Sequence, residues 1–258
     1  MRLKHLFTLL VIMSCTLLGF TACNDDDYAP IRLININETG QQVEHHTLAM
    51  YAFDKGESFY IKGGDGHYSI QNNSEGIIDY RYDGKTLTFM PVGLGTATII
   101  IRDLAKNSLV LTIEVTNRKV VLNVIGVESN ATGRKMIVED VDRLKKQIIN
   151  DSFAKAGGRY EFTYTDESQV LGSVSIYPSE TGKPISGIFR QEKKFTEGGI
   201  EYTEFAITTA KGDIHKMMLI GEQTDTTTQF TFQEDVTEIY NKIYPNVEKA
   251  LLIQNVTF

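Results

Sequence analysis

Few residues in this chain are equipped for chemistry, and Cys23 comes first among them. It follows Phe20-Thr21-Ala22, behind an apolar run over residues 6–20 with Arg2 and Lys4 ahead of it. A basic start, a short apolar run and small residues before a cysteine predict a secretory signal over residues 1–22. Cleavage would leave the Cys23 thiol to carry lipid. The run is shorter than the about 20 apolar residues that a membrane-spanning helix needs. Cys15, the other cysteine, follows Ile12-Met13-Ser14, and cutting there would leave too little apolar sequence. With Cys23 lipidated, the mature chain has no thiol for catalysis and no disulfide.

The remaining search for catalytic groups is mostly negative. No H-E-x-x-H, G-x-S-x-G or phosphate-loop pattern occurs, and no cysteine pair sits at zinc spacing. Gly63-Gly64-Asp65-Gly66 is glycine-rich but lies between strand-like runs. It lacks the following helix that a phosphate site uses, so a turn is expected. His45 and His46 are adjacent, and neighbours on a strand point to opposite faces. They are poorly placed to share an ion, so neither a metal nor a cofactor is expected. His67 and His215 sit beside Tyr68 and Ile214, which predicts that both histidines face outward. Glu201 and Glu204 come nearest to a glycosidase pair, which needs two carboxylates roughly 5–9.5 Å apart. Three residues apart on a strand, they point to opposite sides. The expectation is a protein that is not an enzyme. Tyr68, Tyr80, Tyr82, Tyr164 and Tyr202 are the candidate ligand-binding residues, because aromatic faces stack on sugar rings. Tryptophan is absent altogether, which weighs toward packing for these tyrosines.

Composition narrows the partners. Loss of Arg2 and Lys4 with the signal leaves 24 basic against 33 acidic residues, a net charge near -9. Nucleic acid and anionic lipid both call for clustered Lys and Arg, so neither is an expected partner. Lys145-Lys146 and Lys193-Lys194 are too small to form such a patch. A hydrophobic content of 41% over 258 residues supports real cores and two units of ordinary size.

The elements that must position these residues fall into two blocks. From residue 31 to about 117, short runs rich in Ile, Val, Thr, Tyr and Phe alternate with Gly and Asn. Strands are predicted over 31–36, 48–53, 57–62, 67–71, 77–82, 86–90, 96–102 and 109–115. Asp83-Gly84 marks a tight hairpin between two of them. Turn signals every 8 to 12 residues indicate a β-sandwich. The second block, residues 118–258, opens with an apolar strand over 120–125, then a loop at Ser129-Asn130-Ala131-Thr132-Gly133. Val138, Val141, Leu144, Ile148 and Ser152 recur at helical spacing, and Gly157-Gly158 ends that helix. About six strands follow in succession over 160–164, 170–176, 185–191, 201–208, 214–221 and 227–232. A second helix is predicted over 234–244, limited by Pro245, and a last strand over 251–258. Short links between successive strands make an antiparallel meander the natural topology. The fold class is therefore mainly β: a sandwich followed by an α+β unit with a strongly curved meander or partial barrel packed on helices.

Two resemblances carry the reading further. Cys23-Asn24-Asp25-Asp26-Asp27 resembles the start of a Bacteroidetes-type surface lipoprotein. That likeness implies that Asp25, Asp26 and Asp27 act as an export signal to the outer face of the outer membrane. Residues 23–30 would then be a lipidated, acidic tether, and a triacylated Cys23 carries enough chain to anchor stably. Gly63-Gly64-Asp65-Gly66-His67-Tyr68-Ser69-Ile70, Leu87-Thr88-Phe89-Met90-Pro91, Gly93-Leu94-Gly95-Thr96-Ala97-Thr98-Ile99 and Arg102-Asp103 together resemble bacterial Ig-like domains of the group 2 kind. This likeness covers roughly residues 56–117 and implies an Ig-like sandwich over 31–117 acting as a spacer or adhesive module. Asp225-Thr226-Thr227 resembles the tripeptide that such secreted proteins O-glycosylate. No family is recognised for the second block, residues 118–258.

The expectation that follows is a non-catalytic, outer-membrane lipoprotein facing the cell exterior, acting as a binding or structural module. Its partners would be the membrane lipid through Cys23 and a protein or polysaccharide. Two alternatives stand beside it: a glycan-binding accessory of an outer-membrane uptake system, and a fimbrial or adhesin subunit assembling by strand exchange through residues 31–36.

Overall fold

The computed structural model describes residues 28–37, 42–43, 46–221 and 230–258. Cys23, Asp25, Asp26, Asp27, His45 and Asp225-Thr226-Thr227 lie outside the described residues. The fold is mainly β, as its strand-rich sequence requires.

Eight strands build the first part: β1 (Arg32–Asn35), β2 (Thr47–Tyr51), β3 (Glu57–Lys62), β4 (Tyr68–Asn72), β5 (Ile78–Tyr82), β6 (Thr86–Pro91), β7 (Gly95–Asp103) and β8 (Ser108–Thr116). They form two four-stranded sheets, β1-β3-β6-β5 and β2-β8-β7-β4. Alternation dictates which side chains enter the core. Leu87 and Phe89 on β6, Ala97, Ile99 and Ile101 on β7, and Leu111 and Ile113 on β8 are all fully buried between the sheets. One pairing departs from a simple antiparallel sandwich, since β2 runs parallel to β8. The glycine-rich stretch is a turn, with Gly63, Gly64 and Gly66 all at positive φ. Gly64 N–H donates to the Ala29 carbonyl at 2.7 Å, which pins the start of the chain to this turn.

The second part is a closed barrel of eight strands in the order β10-β11-β12-β13-β14-β15-β16-β9. They are β9 (Lys119–Gly133), β10 (Arg159–Tyr164), β11 (Leu171–Tyr177), β12 (Ile185–Phe195), β13 (Glu201–Thr209), β14 (Ile214–Ile220), β15 (Phe230–Asp235) and β16 (Val247–Thr257). Helix α1 (Val138–Asp151) follows β9, and the short α2 (Thr237–Asn241) lies between β15 and β16. Closure pairs the first strand of the barrel with the last, which leaves no free sheet edge. Aromatic rings fill the interior: Phe162 meets Phe189 and Phe205 at 4.9 and 4.6 Å between centroids, and Tyr160 meets Phe232 at 5.1 Å.

Three expectations from sequence are corrected here. Ser129 to Gly133 is not a loop but the end of β9, paired with β16 through Ala131↔Ala250 and Leu252↔Ser129. A bulge at Ile125 explains why the pattern misled. Val124 pairs with Val256 while Gly126 pairs with Asn255, so Ile125 is an extra residue. Burial accordingly switches from Leu122 and Val124 to Val127 and Ala131, breaking the simple alternation. The second helix is shorter than its apolar spacing implies. Glu234 and Asp235 belong to β15, and Asp235 caps the following turn by accepting from the Thr237 N–H at 3.0 Å. Finally, Val138 lies largely exposed on α1, and Leu144 and Ile148 carry its burial.

Helix α1 closes one end of the barrel. Leu144 and Ile148 pack with Ala131, Tyr240, Ala250 and Leu252, which are inward-facing or from α2. The opposite end receives the chain from the sandwich through Asn117 and Arg118. There the Arg118 guanidinium donates to Gln169 Oε1 at 2.9 Å, and Gln169 Nε2 donates to Asp54 Oδ1 of the sandwich at 3.0 Å.

Candidate functional site

At the α1-capped end of the barrel lies a cavity of about 170 Å³. Its walls are Ile148 of α1, Val236, Ile239 of α2 and Leu252 of β16, with the Phe153 ring at one side. Asp151, Ser152, His215, Glu234 and Tyr240 bring polar atoms into this apolar setting. A concave apolar site with a few convergent polar groups is the usual form of a small-molecule pocket.

Strand register places the two central residues. His215 on β14 sits opposite Ile207 of β13, and Glu234 on β15 sits opposite Met217 of β14. Ile207 and Met217 are buried inside the barrel, so His215 and Glu234 face inward with them. His215 Nδ1 and Glu234 Oε1 lie 2.8 Å apart. Glu234 is only 6% exposed. The Phe153 ring meets the imidazole edge-on at 4.5 Å. The hydrogen bond to Glu234 holds the His215 pKa above the ordinary histidine value, against the opposing effect of burial, with the charges of Glu234 and Asp213 adding to the rise.

A second pair closes the site from the helices. Tyr240 of α2 donates its hydroxyl to Asp151 Oδ2 at 2.8 Å, and Asp151 is the last residue of α1. Burial, then the bond to Asp151 and the charges of Asp151 and Glu234, push the Tyr240 phenol well above its usual range. Lys155 covers the end of α1, donating to the carbonyls of Asn150 and Ser152 at 2.7 and 2.9 Å. These are among the carbonyls a helix end leaves without intrahelical partners. Beneath the cavity, Gln254 is fully buried, accepts from the Tyr160 hydroxyl at 2.9 Å and donates to Ser152 Oγ and the Ala154 carbonyl.

The outward orientation expected for His215 is thus incorrect, and exposed Ile214 takes that face instead. His67 does face solvent, with 77% of its side chain exposed.

The candidate tyrosines do not gather into one site. Tyr68 and Tyr82 line a hollow of about 390 Å³ on the sandwich, beside His67 and Asp103. The Tyr68 hydroxyl is engaged by the Gly63 carbonyl, and Tyr80 donates to the Ile70 carbonyl at 3.0 Å. Tyr164 points into the barrel, where it is buried and donates to Gln191 Oε1 at 2.7 Å, so it offers no surface platform. Tyr202 lies on β13, in the barrel rather than the sandwich. Glu201 and Glu204 are each taken up by a lysine, Lys193 at 2.6 Å and Lys194 at 2.7 Å.

His215 and Glu234 form a base and the acid that orients it, which nucleophilic catalysis would pair with a free hydroxyl. The one serine of the cavity, Ser152, already donates its proton to the Ala154 carbonyl at 2.9 Å. Among the described residues, no group of three or more His, Cys, Asp or Glu is placed to bind a metal ion. No protein-family model matches the chain, and no curated protein matches it.

Proposed function

We propose that this chain is a non-catalytic lipoprotein of the outer membrane, facing the cell exterior, whose barrel holds a small ligand. The observation that carries the binding role is the capped cavity with inward-facing His215 and Glu234. Lipid on Cys23, the acidic Asp25-Asp26-Asp27 run and an Ig-like spacer over residues 31–117 complete the reading. The scatter of Tyr68, Tyr80, Tyr82, Tyr164 and Tyr202 over separate faces gives a polysaccharide-accessory role less support. The strand-exchange alternative draws on β1, an outer strand of its sheet that pairs along its length with β3 and meets the other neighbour described only at a single bridge, Ile34 with Gln42, where Val43 N–H donates to the Leu33 carbonyl at 3.0 Å.

The address is tested by expressing the full chain and a Cys23→Ser variant. The parent should enter the detergent phase on phase separation and react with a membrane-impermeant label on intact cells. Cys23→Ser should remain in the aqueous phase. Equal partitioning of both overturns the anchor, and failure of the label to reach the parent on intact cells overturns the outward-facing assignment.

A further inference from the structure

Resting on the reading of the capped cavity as a binding site, we infer that its ligand is a small organic cation: an ammonium group carried on a body about the size of a six-membered ring.

Size comes from the volume. The cavity holds about 170 Å³, close to the about 150 Å³ of an apolar cavity that takes benzene. Ile148, Val236 and Leu252 supply apolar wall of the kind a hydrocarbon body prefers.

Sign comes from the charges. Asp151 and Glu234 line the cavity, and no Lys or Arg stands among its described lining residues. Asp151 ends α1, where the positive charge that the helix dipole favours is already supplied by Lys155, so the two carboxylates set the sign. Phe153 and Tyr240 add aromatic rings to the lining, and the face of such a ring attracts cations. An anion entering here would meet two carboxylates.

Lys155 lies within electrostatic reach of Asp151 and locks onto the end of α1. Counting it with Asp151, Glu234 and Asp213, the region carries two uncompensated negative charges whenever His215 is neutral. The His215 proton can neutralise one of them, and so can a ligand's ammonium. The groups facing His215 are Glu234 on β15, Asp213 ahead of β14 and the neutral Phe153 ring, with Asp151 and Tyr240 across the cavity. Proton and ligand therefore compete. Cation affinity should rise with pH, by up to tenfold per unit while His215 remains protonated, then level off.

The experiment uses the purified chain and three probes of one shape: benzylammonium, benzyl alcohol and benzoate. Titration calorimetry at pH 5.5, 7 and 8.5 reads affinity, and buffers of different ionisation enthalpy read proton release. Benzylammonium should bind at least tenfold tighter than either companion at pH 8.5, releasing protons as it binds near neutral pH. Asp151→Asn should lower that affinity about tenfold while leaving benzyl alcohol unchanged, and its site at a helix end spares the core. Benzoate or benzyl alcohol binding as well as the cation, or affinity falling as pH rises, overturns the cation assignment and leaves the pocket standing. Absence of binding by all three overturns the pocket itself, and the assignment with it.

Discussion

At the scale of single residues, the His215–Glu234 contact couples stability to pH. The folded pKa of His215 lies above its unfolded value because Glu234 favours the imidazolium. The stabilisation is thus complete below the ordinary histidine value of about 6.5 and is lost as pH rises through the folded value. Urea midpoints of the free protein should fall as pH is raised from 6 to 8.5, and Glu234→Gln should flatten that slope. A parent slope of zero or of opposite sign would show that the pair does not couple to folding. Replacing His215 by Leu leaves the Glu234 carboxylate buried without its partner. The cost should be about 2 kcal/mol, short of the about 3–5 kcal/mol of a wholly enclosed pair, because the cavity admits water. Neither residue's role was visible in the sequence. Ile214 and Met217 are both apolar, so alternation along β14 does not say which parity faces inward. Lys216, sharing Ile214's parity and exposed, was the available signal that His215 lies on the inner face. Glu234 was hidden by the apolar spacing of Val236, Ile239, Tyr240 and Ile243, which draws a helix back over the end of a strand. The contact also joins two strands, and no spacing along the chain announces which strands become neighbours.

At the scale of elements, barrel strands approach most closely where glycine replaces a side chain. Gly172 on β11 pairs with Tyr164 and Phe189, both inward. A Cβ there would lie 1.9 Å from the Thr163 carbonyl oxygen and 3.0 Å from the Phe189 ring. Backbone cannot yield as a flexible side-chain tip does, so Gly172→Ala should cost about 2–3 kcal/mol. Gly126 on β9 offers the contrast, since the nearest atom to an added Cβ is Asn255 Nδ2 at 3.4 Å. Gly126→Ala should stay within about 1 kcal/mol, and denaturant unfolding of both variants checks the pair. Equal effects would mean that the close approach at Gly172 does not constrain the barrel. The strands themselves were largely legible, because Gly- and Asn-rich turns bound most of them and β-branched residues fill them. Closure was legible only in part: a curved meander follows from short links, but pairing β9 with β16 depends on the bulge at Ile125 and on strands more than a hundred residues apart. The parallel β2–β8 pairing had no local signal for the same reason.

At the scale of the whole molecule, the chain runs from one extreme to the other. Ala29 is tied to Gly64, beside Asp103, while β8 leaves the sandwich at its other end through Thr116. The sandwich thus separates the start of the described chain from the barrel by the length of β8, nine residues, or about 30 Å of extended strand. Within the barrel, the sandwich joins at Arg118 and Gln169, whereas the cavity lies at the end closed by α1. If Cys23 anchors the chain, the ligand site is held away from the lipid and the Asp103 end of the sandwich sits near it. Leu104, 77% exposed, marks the near end, and Ile239, 47% exposed at the cavity, marks the far end. Each can be changed to Cys and labelled with a fluorophore in the lipidated protein reconstituted into vesicles bearing a headgroup quencher. The label at Leu104 should be quenched strongly and the label at Ile239 should remain bright, and soluble ligand would then reach the cavity without crossing the headgroup layer. Strong quenching at Ile239 with a bright Leu104 would invert the molecule on the membrane, turn the cavity toward the lipid surface, and make an amphiphile drawn from the bilayer its natural occupant.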